Sequence, residues 1–150
     1  MSRADWQQYF FKFANLASER STCLRRKVGA VLVKDNMVIA TGYNGPPRGL
    51  PHCSEVGGCK RATMNIPSGE RHELCRGLHA EQNAIIQAAR SGLNINGCDL
   101  YCSNRPCAIC TKMIINAGIS KVFYYEDYND PLAEELTKQS KVQFIKTEKE

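Results

Sequence analysis

Hydrophobic positions along the chain follow two rhythms in turn. Trp6, Tyr9, Phe10, Phe13, Ala14 and Ala17 recur every three to four residues, which predicts an amphipathic helix over about 4–18. Residues 28–34 and 37–43 are instead runs of apolar and β-branched residues. The Asp35-Asn36 pair between them predicts a hairpin. The rhythm then stops. Residues 44–77 hold four prolines, six glycines and three cysteines without a sustained period. A stretch that long needs something to tie it down in a compact domain. Helical spacing returns over 79–90, with Ala84, Ile85, Ala88 and Ala89 in step and Gly92 as the stop. A strand over 99–103, a helix over 107–117 ended by Gly118, a strand over 121–125, a helix over 131–139 and a strand over 142–146 complete the pattern. A hairpin followed by alternating helices and strands indicates a helix–sheet–helix layered α/β domain. There are no repeats, and the polar Lys-Thr-Glu-Lys-Glu end is expected to fray.

Composition narrows this picture. At 150 residues the chain is expected to form one domain, 1–150, with a Cys-rich insertion at about 44–77. Its 43% hydrophobic and 23% charged residues suit a packed core. The longest apolar runs are four residues, far short of the roughly 20 that span a bilayer. The N-terminal Met-Ser-Arg-Ala-Asp-Trp lacks the apolar stretch of a secretory signal, so a cytoplasmic protein without a membrane partner is expected. A net charge of +5 suits an anionic small ligand or weak nucleic-acid contact and compels neither. Eight cysteines are too few for a disulfide-stapled secreted domain. In a reducing compartment they point to metal binding or catalysis.

Two short strings carry the chemistry: His79-Ala80-Glu81 and Pro106-Cys107-Ala108-Ile109-Cys110. Each opens a predicted helix. A lone His-x-Glu is common by chance, and a lone Cys-x-x-Cys could be a redox pair or two buried thiols. Together they supply three zinc ligands, His79, Cys107 and Cys110, the number that leaves a catalytic metal one position for water. The i, i+3 spacing of the cysteines predicts that both sulfurs face one way on a first helical turn, whose positive end favours thiolates. Glu81, two residues beyond His79, can lie near the metal's open side and move protons. Neither Ala80 nor Ala108 can ligate, which weighs against a closed structural site. The paired strings are a recognised signature of zinc nucleobase deaminases, so that assignment rests on resemblance.

The resemblance extends further. Residues 21–128 resemble the deoxycytidylate (dCMP) deaminase family in Ser21-Thr-Cys-Leu-Arg-Arg-Lys-Val-Gly-Ala-Val, Thr41-Gly-Tyr-Asn-Gly-Pro-Pro, Leu78-His-Ala-Glu-Gln-Asn-Ala-Ile, Pro106-Cys-Ala-Ile-Cys and Ala117-Gly-Ile-Ser-Lys-Val-Phe-Tyr-Tyr-Glu-Asp-Tyr. It implies a cytidine-deaminase-like three-layer α/β/α sandwich with a five-stranded mixed sheet. It also implies hydrolysis of dCMP to dUMP and ammonia, which supplies dUMP for thymidylate synthesis. It further implies Zn2+ on His79, Cys107 and Cys110, with Glu81 catalytic. A homohexamer is implied, activated by dCTP and inhibited by dTTP, with Mg2+ accompanying the triphosphate. No stable nucleic-acid partner is expected.

Substrate-binding positions carried by the resemblance are Asn44, Ala80, Tyr128 and Arg26. Asn44 would reach the sugar 3′-hydroxyl, although Asn-Gly also favours turns by itself. Tyr128 would bond a phosphate oxygen; otherwise it is one more aromatic in an aromatic run. The basic cluster Arg20, Arg25, Arg26 and Lys27 would attract phosphate or form a solvated face. An effector pocket is implied around Gly42, Tyr43, Gly45 and Arg76, and Arg90 matches a position linked to subunit contacts. Relatives with such an insertion resemble this chain in holding a second, structural zinc, here on Cys23, Cys53, Cys59 and Cys75. His52 or His72 could replace one thiolate. Cys98 and Cys102 are read as core, and Arg105 as a residue near the substrate phosphate without motif support. The rivals are a tRNA adenosine or other nucleotide deaminase, which shares both strings, and a non-catalytic zinc module, which has no need of Glu81.

Overall fold

The N-terminal helix α1 (Trp6–Ser18) begins at Asp5, whose carboxylate accepts from the Gln8 backbone N–H at 2.8 Å while the Gln8 side chain accepts from Asp5 N–H at 2.9 Å. This reciprocal cap satisfies amide groups that a helix start leaves unpaired. In the computed structural model, which describes residues 1–149, the chain then forms β1 (Gly29–Lys34) and β2 (Met37–Tyr43). Asp35 and Asn36 turn between them with φ of 52° and 59°, the left-handed pair that suits a tight hairpin.

The remaining regular elements are α2 (Lys60–Thr63), α3 (Ala80–Arg90), β3 (Asp99–Cys102), α4 (Ala108–Asn116), β4 (Lys121–Tyr124), α5 (Pro131–Gln139) and β5 (Gln143–Lys146). The five strands lie in the order β2-β1-β3-β4-β5. β1 is antiparallel to β2 and β3, whereas β3, β4 and β5 run parallel. Parallel neighbours need crossovers, and α4 and α5 provide them.

Alternation along β1 assigns its two faces. Val31 and Val33 meet Phe10, Phe11 and Ala14 of α1, with Tyr101 and Phe123 beside them. Ala30 and Leu32 point the other way, onto Ala80, Ala84 and Ala88 of α3 and Cys110 and Ile114 of α4. The outcome is the three-layer α/β/α sandwich with a mixed five-stranded sheet. Gly42 sets the spacing of β2 and α3, because a Cβ there would lie 2.2 Å from the Ala80 carbonyl oxygen. Among the described residues no helix is long and apolar enough to cross a membrane.

The Cys-rich stretch is irregular, as its composition predicts. It contains only α2 and two 3-10 turns, Cys53–Glu55 and His72–Leu74, none with a buried residue. Its ends are pinned where Gly45 and Leu78 exchange backbone hydrogen bonds of 3.1 and 2.8 Å. Elsewhere it is held by guanidinium-to-carbonyl bonds: Arg25 to Ile66 at 3.0 Å, Arg61 to Glu70 at 2.8 Å and Arg76 to Pro51 at 2.8 Å.

Candidate active site

Two helix starts converge beneath the cleft. His79 is the N-cap of α3 and Cys107 the N-cap of α4, so Cys107 stands one position before the helix rather than inside its first turn. Cys110 lies within that first turn. The three donors still meet, because the extended backbone of a cap lets its side chain fold back over the helix start. His79 Nδ1 is 3.4 Å from Cys107 Sγ and 3.3 Å from Cys110 Sγ. Zinc–sulfur and zinc–nitrogen bonds of about 2.3 and 2.0 Å at a tetrahedral angle place N and S about 3.5 Å apart, so this trio fits a shared zinc ion. Both cysteines are free thiols.

The three donors perturb one another strongly. A hydrogen bond from Cys110 holds the Cys107 thiol down at about 4, with burial opposing and His79 assisting. Cys110 is pushed up correspondingly, and the bond to Cys107 raises His79. Glu81 is buried at 4% exposure, and its Oε2 lies 3.3 Å from Cys110 Sγ. Burial pushes the Glu81 carboxyl up against the pull of His79. It can therefore carry a proton more readily than a surface carboxylate.

The cleft above is basic. Arg25, Arg26, Arg61, Arg76 and Arg105 line it, and among the described residues Glu81 is its one carboxylate. The Arg26 guanidinium lies 6.0 Å from the centre of the Tyr128 ring. Arg105 is largely buried, 5.8 Å from the Tyr124 ring centre and 3.5 Å from a Glu134 carboxylate oxygen. Its Nε is buried without a partner, as is that of Arg61. Gly69 (φ 86°) lets the backbone pass under Tyr128, since a Cβ there would lie 2.2 Å from the phenol oxygen. Asn44 lines the cleft too, but its amide is engaged by backbone: Oδ1 accepts from Val28 N–H at 2.9 Å and Nδ2 donates to the Arg26 carbonyl at 2.8 Å. Ala80 opens α3 at the cleft floor.

Of the residues read as an effector group, the Tyr43 ring lies against Gly45. Gly45 and Arg76 border the cleft, whereas Gly42 lies under α3, Tyr43 is at the surface and Arg90 is exposed at the end of α3. Cys23, Cys53, Cys59 and Cys75 are half-buried free thiols. After burial, it is Cys59, Cys75 and Cys23 as neighbouring charges that push the Cys53 thiol up, but among the described residues these thiols do not converge within 4.8 Å as the donors around His79 do. His52 instead meets the Thr22 hydroxyl through Nδ1. His72 faces His79, with ring centres 4.8 Å apart.

Two functional neighbours have no clear signal in the sequence. Asp130 caps α5 by accepting from Ala133 N–H at 3.1 Å, and its other oxygen accepts from Ala108 N–H at 2.8 Å, which ties down the start of α4. Asp before Pro131 signals the first role; nothing local signals the second. Cys102, read as core, is core, and its thiol also contacts Glu81.

Comparison with known proteins bears on this site. The family described as the cytidine and deoxycytidylate deaminase zinc-binding region matches residues 4–126. A deoxycytidylate deaminase of Schizosaccharomyces pombe is 46% identical over 127 residues, covering 85% of this chain and 39% of that protein. The chain thus spans about two fifths of that relative's length. The deoxycytidylate deaminase of Mycobacterium phage D29 is 41% identical over 128 residues, covering 83% and 97% respectively. The crystal structure of dCMP deaminase from cyanophage S-TIM5 in complex with dCMP and dUMP superposes with a TM-score of 0.80 at 33% identity, covering 98% of this chain and all of that one.

Proposed function

The chain belongs to the cytidine and deoxycytidylate deaminase family, and from that premise we propose that it hydrolyses dCMP to dUMP and ammonia. The observation that carries the proposal is the adjacency of a buried carboxylate and a converged His-Cys-Cys trio to a cleft lined by five arginines. That combination suits a small phosphorylated substrate with a hydrolysable amine.

In this reading His79, Cys107 and Cys110 hold zinc, which when bound supplies Lewis-acid activation of the attacking water. Glu81 takes a proton from that water and gives it to the ring nitrogen beside the amine-bearing carbon. Glu81 then takes the second proton, from the hydroxyl now on that carbon, and passes it to the amine as the C–N bond breaks and the carbonyl forms, so water and dCMP become dUMP and ammonia. Its buried, raised carboxyl suits both directions of transfer. Arg26 and Tyr128 receive the phosphate. Ala80 offers a backbone N–H that the first turn of α3 leaves unpaired, and Asn44 contributes chiefly by shaping the rim.

The proposal includes a second, structural zinc on Cys23, Cys53, Cys59 and Cys75, since an insertion without buried apolar residues needs another source of order. It also includes one deaminase domain over 1–150, a cytoplasmic homohexamer, and regulation by dCTP and dTTP with Mg2+ near Gly45 and Arg76. An ultraviolet assay across dCMP, CMP, deoxycytidine and cytosine tests the substrate. Turnover of dCMP well above that of deoxycytidine is expected. Equal turnover of the two would overturn phosphate recognition by the arginine cleft.

A further inference from the structure

His72 belongs to the insertion yet reaches the other metal site. Its ring centre is 4.8 Å from that of His79, at an interplanar angle of 66°. A ring nitrogen of His72, one of His79 and the sulfur of Cys107 all lie within 4.8 Å of one another. The Nδ1 of His72 is buried and has no hydrogen-bond partner. A buried imidazole nitrogen left unpaired is costly and calls for a partner. Two imidazoles on one tetrahedral zinc, at Zn–N of about 2.0 Å, have ring centres about 5 Å apart.

We propose that His72 is a displaceable fourth ligand of the metal held by His79, Cys107 and Cys110, closing the site from the insertion until nucleotide enters. A catalytic zinc needs an open position, so a permanent fourth protein ligand would abolish hydrolysis. His72 is mounted to leave. Arg71, directly before it, is a non-glycine residue in the left-handed region with φ 53°, and Gly69 is left-handed at φ 86°. Strain of this kind marks segments with a second arrangement within reach. The turn His72–Leu74 buries no residue, and its flanking Arg71–Glu73 ion pair is exposed. No fully buried side chain of the turn opposes its withdrawal. The exchange replaces one neutral donor by another and breaks no covalent bond of the chain. Its consequence is a lower apparent nucleotide affinity, scaled by the fraction of molecules that are open.

The inference rests on the metal-site reading above, and its test does not require dCMP turnover. Full-length protein is loaded with cobalt(II), and the visible spectra of wild type, His72→Ala and His72→Gln are compared without nucleotide. The difference spectrum cancels any contribution from Cys23 and the three insertion thiols. We expect the variants to differ from wild type, free imidazole to restore the wild-type bands in His72→Ala, and dUMP to shift wild type toward the variant. The dissociation constant for dUMP should fall several-fold in His72→Ala. Superimposable spectra for all three proteins overturn the proposal. So does weaker dUMP binding in the variants with an unchanged spectrum, which would place His72 on the nucleotide instead. Should the variants fail to fold, cadmium NMR of the wild type decides: a two-sulfur, two-nitrogen shift supports the proposal, and a two-sulfur, one-nitrogen, one-oxygen shift overturns it.

Discussion

The corner where α3 and α4 begin and the insertion that roofs it each carry side chains of metal-ligating type, but place them by opposite means. At the corner, packing comes first. Ala80, Ala84 and Ala88 of α3 and Ile114 of α4 are buried against the sheet, so His79, Glu81, Cys107 and Cys110 are aimed by rigid helices. In the insertion, Cys53, Cys59 and Cys75 sit on turns with no buried residue, held by arginines bonding to carbonyls. The difference teaches that a donor set can be a consequence of a fold or a cause of one. Sites mounted on regular elements keep their geometry when a functional group is altered. A loop without a core depends on its ligands for order.

The largest expected effect isolates chemistry from fold at the corner. Glu81→Gln should lower turnover by at least ~10²-fold, the low end for general acid–base catalysis, while leaving zinc content and melting temperature near those of wild type. Steady-state rates on zinc-loaded protein check this, and near-native turnover would remove Glu81 from the mechanism.

In the insertion the same kind of change should act on structure. Cys53→Ser is expected to remove about one of two zinc ions per chain and lower the melting temperature by several degrees, at about 2–4 °C per kcal/mol for a chain of this size. Elemental analysis finding a single zinc in folded wild type would refute the second site and erase the contrast between the two regions.

Asp130→Ala sharpens the comparison from the packing side. It removes caps from α4 and α5 together. A cost of about 1–2 kcal/mol is expected, with slower turnover as the α4 start loosens. Chemical denaturation and kcat measured on one preparation distinguish this from a purely catalytic effect.

The smallest effect is expected at Arg90→Glu, on the exposed end of α3. Unfolding free energy should move by less than about 0.5 kcal/mol. The rate at saturating dCMP should stay near wild type while activation by dCTP weakens. Hyperbolic dCMP saturation unmoved by dCTP or dTTP in wild type would show that no such regulation exists to be weakened.

Local order was the part written into the sequence. The 3–4 residue period of Trp6, Tyr9, Phe10 and Phe13, the Asp35-Asn36 turn and the Gly92 and Gly118 stops each depend on neighbours within one or two turns, and the elements appear within a residue or two of the expected bounds. The trio His79, Cys107 and Cys110 was legible for the same reason, because each string lies at a predicted helix start. Tertiary structure decided the rest. That Cys107 caps α4 rather than entering it, that Asp130 reaches back to Ala108, and that Cys102 touches Glu81 all follow from how β3, α4 and α5 pack. His72 is the plainest case. In the sequence it stood as a spare ligand for the insertion's own thiols, three residues after Gly69 and three before Cys75. The left-handed backbone at Arg71 turns it instead onto His79, and only the folded chain could decide between two sites equally open to a flexible loop.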